Sequence, residues 1–175
     1  VERVLSEDMN KLEPVISTAY SEINLTFSDI PSKEELIKIE MRAKGYQKKW
    51  ASNQIKILEE KGSLMNSYPY PIQFWKLGNQ LIMALGGELV VQYAIELKKM
   101  FGQEIFVMGY ANDVMAYIPS EKILNEGGYE GDTSHMVYGL PAKWSKGIED
   151  KILDAFRRLG ESNKLQNTKS DCACR

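Results

Sequence analysis

Two short segments hold the residues whose types and spacing best suit chemistry. The first, Leu85-Gly86-Gly87-Glu88, sets a carboxylate where a strand pattern gives way to a helix pattern. A side chain there leaves the end of a sheet and points into the crevice where α/β folds take their ligands. The second runs Gly109-Tyr110-Ala111-Asn112-Asp113-Val114-Met115-Ala116-Tyr117-Ile118-Pro119-Ser120 and resumes as Glu126-Gly127-Gly128-Tyr129-Glu130-Gly131. Three tyrosines, an asparagine and several acids among glycines suit a site that needs close backbone approach and hydroxyl donors.

Each of these residues also has a plainer reading. Glu88 can complement the positive end of a helix dipole, an effect of about 0.3–1 kcal/mol, and on spacing alone that reading comes first. Tyrosines in loops also pack as amphipathic covers. His135, the single histidine, reads as a surface or loop residue. Cys172 and Cys174 form a C-x-C pair in a polar tail. Half a metal site or a strained local disulfide is open to them, and free thiols in a frayed terminus is the plainer reading.

The elements that must position these residues follow from periodicity. Val4, Leu5, Met9, Leu12, Val15 and Ile16 recur at mixed three and four spacing, broken by Pro14, which predicts a short or broken helix over 4–18. Glu22 to Ser28 alternates Ile23, Leu25 and Phe27 with polar residues, the period of a half-buried strand, and Pro31 ends it. Ser32 and Glu35 form a capping box. Behind it Leu36, Ile39, Ala43, Tyr46, Trp50 and Ile57 predict one long helix that crosses Gly45 and closes at Gly62. Its charged flank reads as a solvated face.

Pro69 and Pro71 predict a turn, and Gly78-Asn79 predicts a tight hairpin between strands Ile72–Leu77 and Gln80–Leu85. A helix over Glu88–Met100 and a buried strand over Glu104–Met108 come next. From Gly109 to Pro141 periodicity is weak, which predicts a long functional loop system. Trp144, Ile148, Ile152, Phe156 and Leu159 line a last helix from Lys143 to Leu159. The expected fold class is α/β, a mixed β-sheet flanked by helices. Residues 1–160 are expected to form the folded unit and 161–175 a polar, disordered tail.

Bulk composition narrows the function classes. The 175 residues are 43% apolar and 26% charged, enough for one globular domain or part of a larger one. The net charge is −2 with no basic stripe, which argues against nucleic acid as a partner. No run approaches the ~20 apolar residues of a membrane span. No signal peptide is visible, and Val1 stands where a methionine would be expected, so a beginning lost upstream is the expectation.

Taken in order, G-G-E, a helix and a strand, then G-Y-A-N-D-V-M-A-Y-I-P-S and G-G-Y-E-G resemble the neutral/alkaline (non-lysosomal) ceramidase family. Its bacterial members carry similar G-Y-x-N-D-x-x-x-Y-I-P-x and Y-E-G stretches. The likeness runs from about Pro71 to Pro141 and continues into the last helix, and the earlier residues match only loosely. The resemblance implies a Zn2+ ion held by two histidines, a glutamate and a tyrosine, with a water. Glu88 matches that glutamate and Tyr117 that tyrosine. Tyr129 matches a catalytic tyrosine that polarises the substrate amide carbonyl. The residue types suit the chemistry: zinc brings the pKa of its water to near 7, and a phenol can stabilise an oxyanion. A phenol has a free pKa of about 10, so a tyrosine ligand needs the cation's charge to favour its phenolate.

The family's histidines lie upstream of its G-E pair, whereas His135 lies downstream of Glu88. The resemblance therefore implies the C-terminal part of a catalytic domain, inactive by itself, with zinc completed by histidines outside this chain. The remaining N-terminal part of that domain would be its partner, and an N-acyl amide or ceramide-like molecule its substrate. A small C-terminal sandwich domain would be missing as well, and a secreted or periplasmic location follows from the family's habit of export. Reaction class travels further than substrate identity. The alternative is a non-catalytic binding or assembly module of the same fold that lacks a complete metal site. A piece of a larger domain should also expose an apolar patch beyond roughly a few hundred Å².

Overall fold

The structure, a computed structural model, describes residues 2–163. The chain begins with a single helical turn, α1 (Glu2–Leu5), and enters strand β1 (Ile16–Thr26). The helix expected over 4–18 stops at that turn. Val15 and Ile16 lead into a strand that starts six residues before the Glu22 expected for it, because β1 pairs with β2 (Ser67–Leu77) along its whole length, from Ile16↔Leu77 to Thr26↔Ser67. Backbone pairing with a long partner overrides the local apolar spacing.

The expected long helix is two helices. In α2 (Lys33–Arg42) both halves of the Ser32/Glu35 capping box are made. The chain then breaks at Ala43 and Lys44, and α3 (Gly45–Lys61) restarts from Gly45 at φ 61°. Gly45 thus turns the chain between two helices instead of weakening one. Gly62 closes α3 in the left-handed region, as its position predicts. Leu36, Trp50 and Ala51 form a small core between the two helices.

Pro69 and Pro71 do not make a turn; they lie inside β2. The carbonyl of Pro71 accepts from Gly86 N–H, so its donor-less nitrogen also faces that side and away from the β1 ladder. A proline is tolerated there because no ladder bond is lost. The hairpin to β3 (Gln80–Leu85) forms as expected, with Leu77 opposite Gln80 and the positive φ on Gly78.

After β3 come β4 (Glu88–Leu89), α4 (Val91–Phe101) and β5 (Phe106–Met108). The sheet order is β1-β2-β3-β5, antiparallel except for the parallel β3–β5 pair. The fold class is the expected one, a mixed sheet with helices. Tyr70, Ile72 and Phe74 alternate onto one face with Leu81, Met83 and Leu85, and against them pack Tyr93, Leu97 and Phe101 of α4. The last helix, α7 (Ile148–Ser162), adds Ile148, Ile152 and Phe156 to the same core. It begins five residues later than expected. Trp144 instead bridges to Phe27 as an extended residue, their rings stacked 4.7 Å apart.

Strand β5 is not buried. It lies at the sheet edge, with Phe106 59% and Met108 49% exposed. The pairing puts Phe106 on one face with Ile82 and Trp75, and Tyr20, Trp75, Phe106 and Met108 are all exposed there. Together they form an exposed apolar face of the sheet. The stretch from Gly109 to Pro141, expected as loop, folds into β6 (Tyr117–Ile118), α5 (Glu121–Glu126), a π-helical turn (Tyr129–Thr133) and α6 (Ser134–Tyr138). Elements this short leave too few residues for a period to register. Among the described residues no helix is long and apolar enough to cross a membrane.

Candidate functional site

The Gly86-Gly87 break is what brings the two chemically promising segments together. Beyond β3 the chain crosses to β4, which pairs in parallel with β6 so that Glu88 stands directly beside Tyr117 and Leu89 beside Ile118. Glu88 N–H donates to Ala116 O at 2.8 Å and Gly87 N–H to Asp113 O at 2.8 Å. In return Tyr110 N–H donates to Gly87 O at 2.9 Å and Ala111 N–H to Leu85 O at 3.1 Å. Glu88 is therefore a strand residue set before α4, not a first-turn residue of a helix, and the dipole reading of it fails.

Neighbouring elements fix β6 in turn. Trp144 Nε1 donates to Tyr117 O at 2.8 Å, and the buried Tyr93 hydroxyl donates to Pro119 O at 2.9 Å. Ser120 caps α5 through Ile123 N–H.

The Tyr138 hydroxyl donates to Glu88 Oε2 at 2.7 Å, and the Tyr110 and Tyr117 phenols stand near enough to the same carboxylate to act on its charge. Partial burial works against the Glu88 charge, but the three phenols outweigh it and hold the carboxyl below its ordinary pKa. Hydrogen bonds to the charged form act in this direction. The same contacts raise the phenols. Tyr138 is pushed up to about 12, first by its bond to Glu88 and then by burial. Tyr117 and Tyr110 are raised for the same reasons in the same order. At neutral pH the arrangement is one anion among three neutral phenols.

Tyr129 stands next to this cluster. Its ring meets that of Tyr117 edge-on, 5.7 Å between centroids, and remains 45% exposed. Gly127 and Gly128, both at positive φ, lead the chain into its π-helical turn. All three residues singled out from sequence, Glu88, Tyr117 and Tyr129, thus come together. Tyr110, quoted in the motif without a role, and Tyr138, passed over, belong with them. Nothing in the residues around Tyr138 marks it, since its partner lies fifty positions earlier in the sequence.

His135 does not join the cluster. It is 8% exposed, sits edge-on to Trp50, and bonds through Nδ1 to the carbonyl of Asp132. It is a core histidine rather than the surface residue expected, and burial lowers its pKa. Cys172 and Cys174 lie outside the described residues.

A carboxylate and a phenol on adjacent strand positions are hard oxygen donors that suit half of a zinc sphere. A catalytic zinc normally takes three protein ligands, and the described residues contain no group of three His, Cys, Asp or Glu able to hold a metal ion.

No family model matches the chain, and no curated protein does. Among solved structures, the crystal structure of neutral ceramidase from Pseudomonas aeruginosa is similar, with a TM-score of 0.51 and 13% identity. The match covers 92% of this chain and 30% of that one. At that identity the likeness is one of fold, and the chain spans under a third of the ceramidase's length.

Proposed function

We propose that this chain carries part of the active centre of a zinc-dependent amide hydrolase resembling neutral ceramidase, which cleaves an N-acyl, sphingolipid-like amide bond. The observation that carries the reading is the register Glu88↔Tyr117, which sets a carboxylate and a phenol side by side at the end of a sheet. Glu88 and Tyr117 would hold the metal, together with histidines from the rest of the catalytic domain. When bound, zinc supplies a water acidic enough to act as hydroxide near neutral pH. Tyr129, exposed beside Tyr117, donates its hydroxyl to the substrate carbonyl oxygen and stabilises the charge that gathers there. The parent protein would act outside the cytoplasm.

The fold of a ceramidase over nearly all of this chain supports the reading. The shortage of metal-ligating side chains among the described residues favours the second one, a non-catalytic binding or assembly module. Both are tested in the full-length protein by measuring bound zinc and hydrolysis of a fluorogenic N-acyl amide. On the first reading the wild type holds one zinc per chain and turns over. Glu88→Gln and Tyr117→Phe then each weaken zinc binding by about 100-fold or more, beyond the 10–100-fold typical of residues that merely support a ligand. A full-length protein that binds no zinc and cleaves nothing supports the second reading.

A further inference from the structure

Three phenols surround Glu88 by different routes, and Tyr138 is the one that donates to it at 2.7 Å. Tyr117 sits on the paired strand itself, and Tyr110 follows from the loop stitched to Gly87. Tyr138 comes from α6, fifty residues further along the chain. The place of α6 is set by α3, not by the sheet. Trp50 Nε1 donates to Leu140 O at 2.7 Å, Gln54 Nε2 donates to Gly139 O at 3.0 Å, and the His135 ring packs against Trp50. Tyr138 also meets the Tyr117 ring edge-on, 6.3 Å between centroids. It is half-buried, while Tyr110 is 60% exposed. One residue on a separately anchored helix therefore touches both side chains assigned to the metal.

We propose that Tyr138 is a positioning residue: its hydroxyl fixes Glu88 Oε2, and its ring fixes Tyr117, so that the two donors hold one orientation. The inference rests on Proposed function only in reading Glu88 and Tyr117 as metal ligands. A glutamate on a two-residue strand has three side-chain torsions to be fixed. A phenol on an anchored helix removes that freedom before a cation arrives. Residues that orient a ligand in this way typically change metal affinity 10–100-fold when removed.

The test is a double-mutant cycle in the full-length protein with Tyr138→Phe and Glu88→Ala, read by melting temperature without added metal and by zinc affinity in chelator competition. Tyr138→Phe is expected to lower the melting temperature when Glu88 is present and to leave it unchanged when Glu88 is alanine, since the hydroxyl acts through that carboxylate. It is also expected to weaken zinc binding about 10–100-fold. Equal losses of melting temperature in both backgrounds overturn the proposal. So does an unchanged zinc affinity in Tyr138→Phe when the wild type binds zinc. If the temperature coupling appears but the wild type holds no zinc, Tyr138 does position Glu88 and the zinc reading falls. Should Tyr138→Phe fail to fold, 3-fluorotyrosine at position 138 supplies the reverse arm. Its 19F resonance moves on Glu88→Ala if the hydroxyl is tied to the carboxylate, and a resonance that stays put overturns the proposal.

Discussion

Gly87→Ala is expected to destabilise the protein by about 3 kcal/mol or more, lowering its melting temperature by roughly 6–12 °C. Two costs combine at this position. Gly87 holds a φ of 74°, where a Cβ alone costs about 1–2 kcal/mol. A Cβ there would also meet Ile118 Cγ1 at 2.6 Å and Ala116 O at 2.7 Å, inside any real contact distance. The carbonyl cannot give way, because Ala116 O accepts the Glu88 N–H that holds β4 to β6. The damage therefore falls on the ladder that pairs Glu88 with Tyr117. Gly62→Ala is the control, since Gly62 has φ 77° and open space around its Cα. It should lose only the backbone share, about 1–2 kcal/mol. Thermal denaturation of the two variants separates the effects, and equal losses would show that β4 and β6 do not approach as closely as described.

Tyr129→Phe is expected to lower kcat in the full-length protein by about 10²–10³-fold while leaving zinc affinity in place. The reason lies in how the phenols are used. Tyr138 commits its hydroxyl to Glu88, and Tyr110 and Tyr117 act on the same carboxylate, but Tyr129 is not among the groups that do. It touches Tyr117 by its ring edge and keeps much of its surface open. A hydroxyl so placed is free to meet a substrate oxygen, and phenylalanine would keep the ring contact while removing only the donor. Steady-state kinetics beside zinc titration distinguishes this from a supporting role. A loss of zinc affinity with little change in kcat would assign Tyr129 to the metal's surroundings instead.

Much of this was readable in the residues, and the failures have physical causes. The Ser32/Glu35 box, the Gly62 terminus and the Gly78 hairpin are local devices, each needing only a few residues to act, and each holds. Gly86-Gly87 was legible as a break, but the sharpness of the crossing it permits depends on Ile118 and Ala116, about thirty residues away in sequence. The full length of β1 and the prolines inside β2 were hidden because pairing, not periodicity, decides them.

The site itself divides in the same way. Glu88, Tyr117 and Tyr129 stood out by motif, and the structure gathers them around one point. Tyr138 did not, since nothing local marks a tyrosine at the end of a five-residue helix as a partner for a carboxylate fifty positions earlier. The burial of His135 is equally invisible locally, because it depends on Trp50 in a helix far upstream.

On the proposed function, the Glu88 carboxylate and the Tyr117 phenol serve one cation. Zinc-edge anomalous diffraction from crystals of the full-length protein addresses this directly. A single strong peak about 2 Å from both a Glu88 carboxylate oxygen and Tyr117 Oη is the expected result, that being the range for zinc–oxygen ligands. A zinc peak elsewhere, with the Tyr138 hydroxyl still bonded to Glu88, would contradict it.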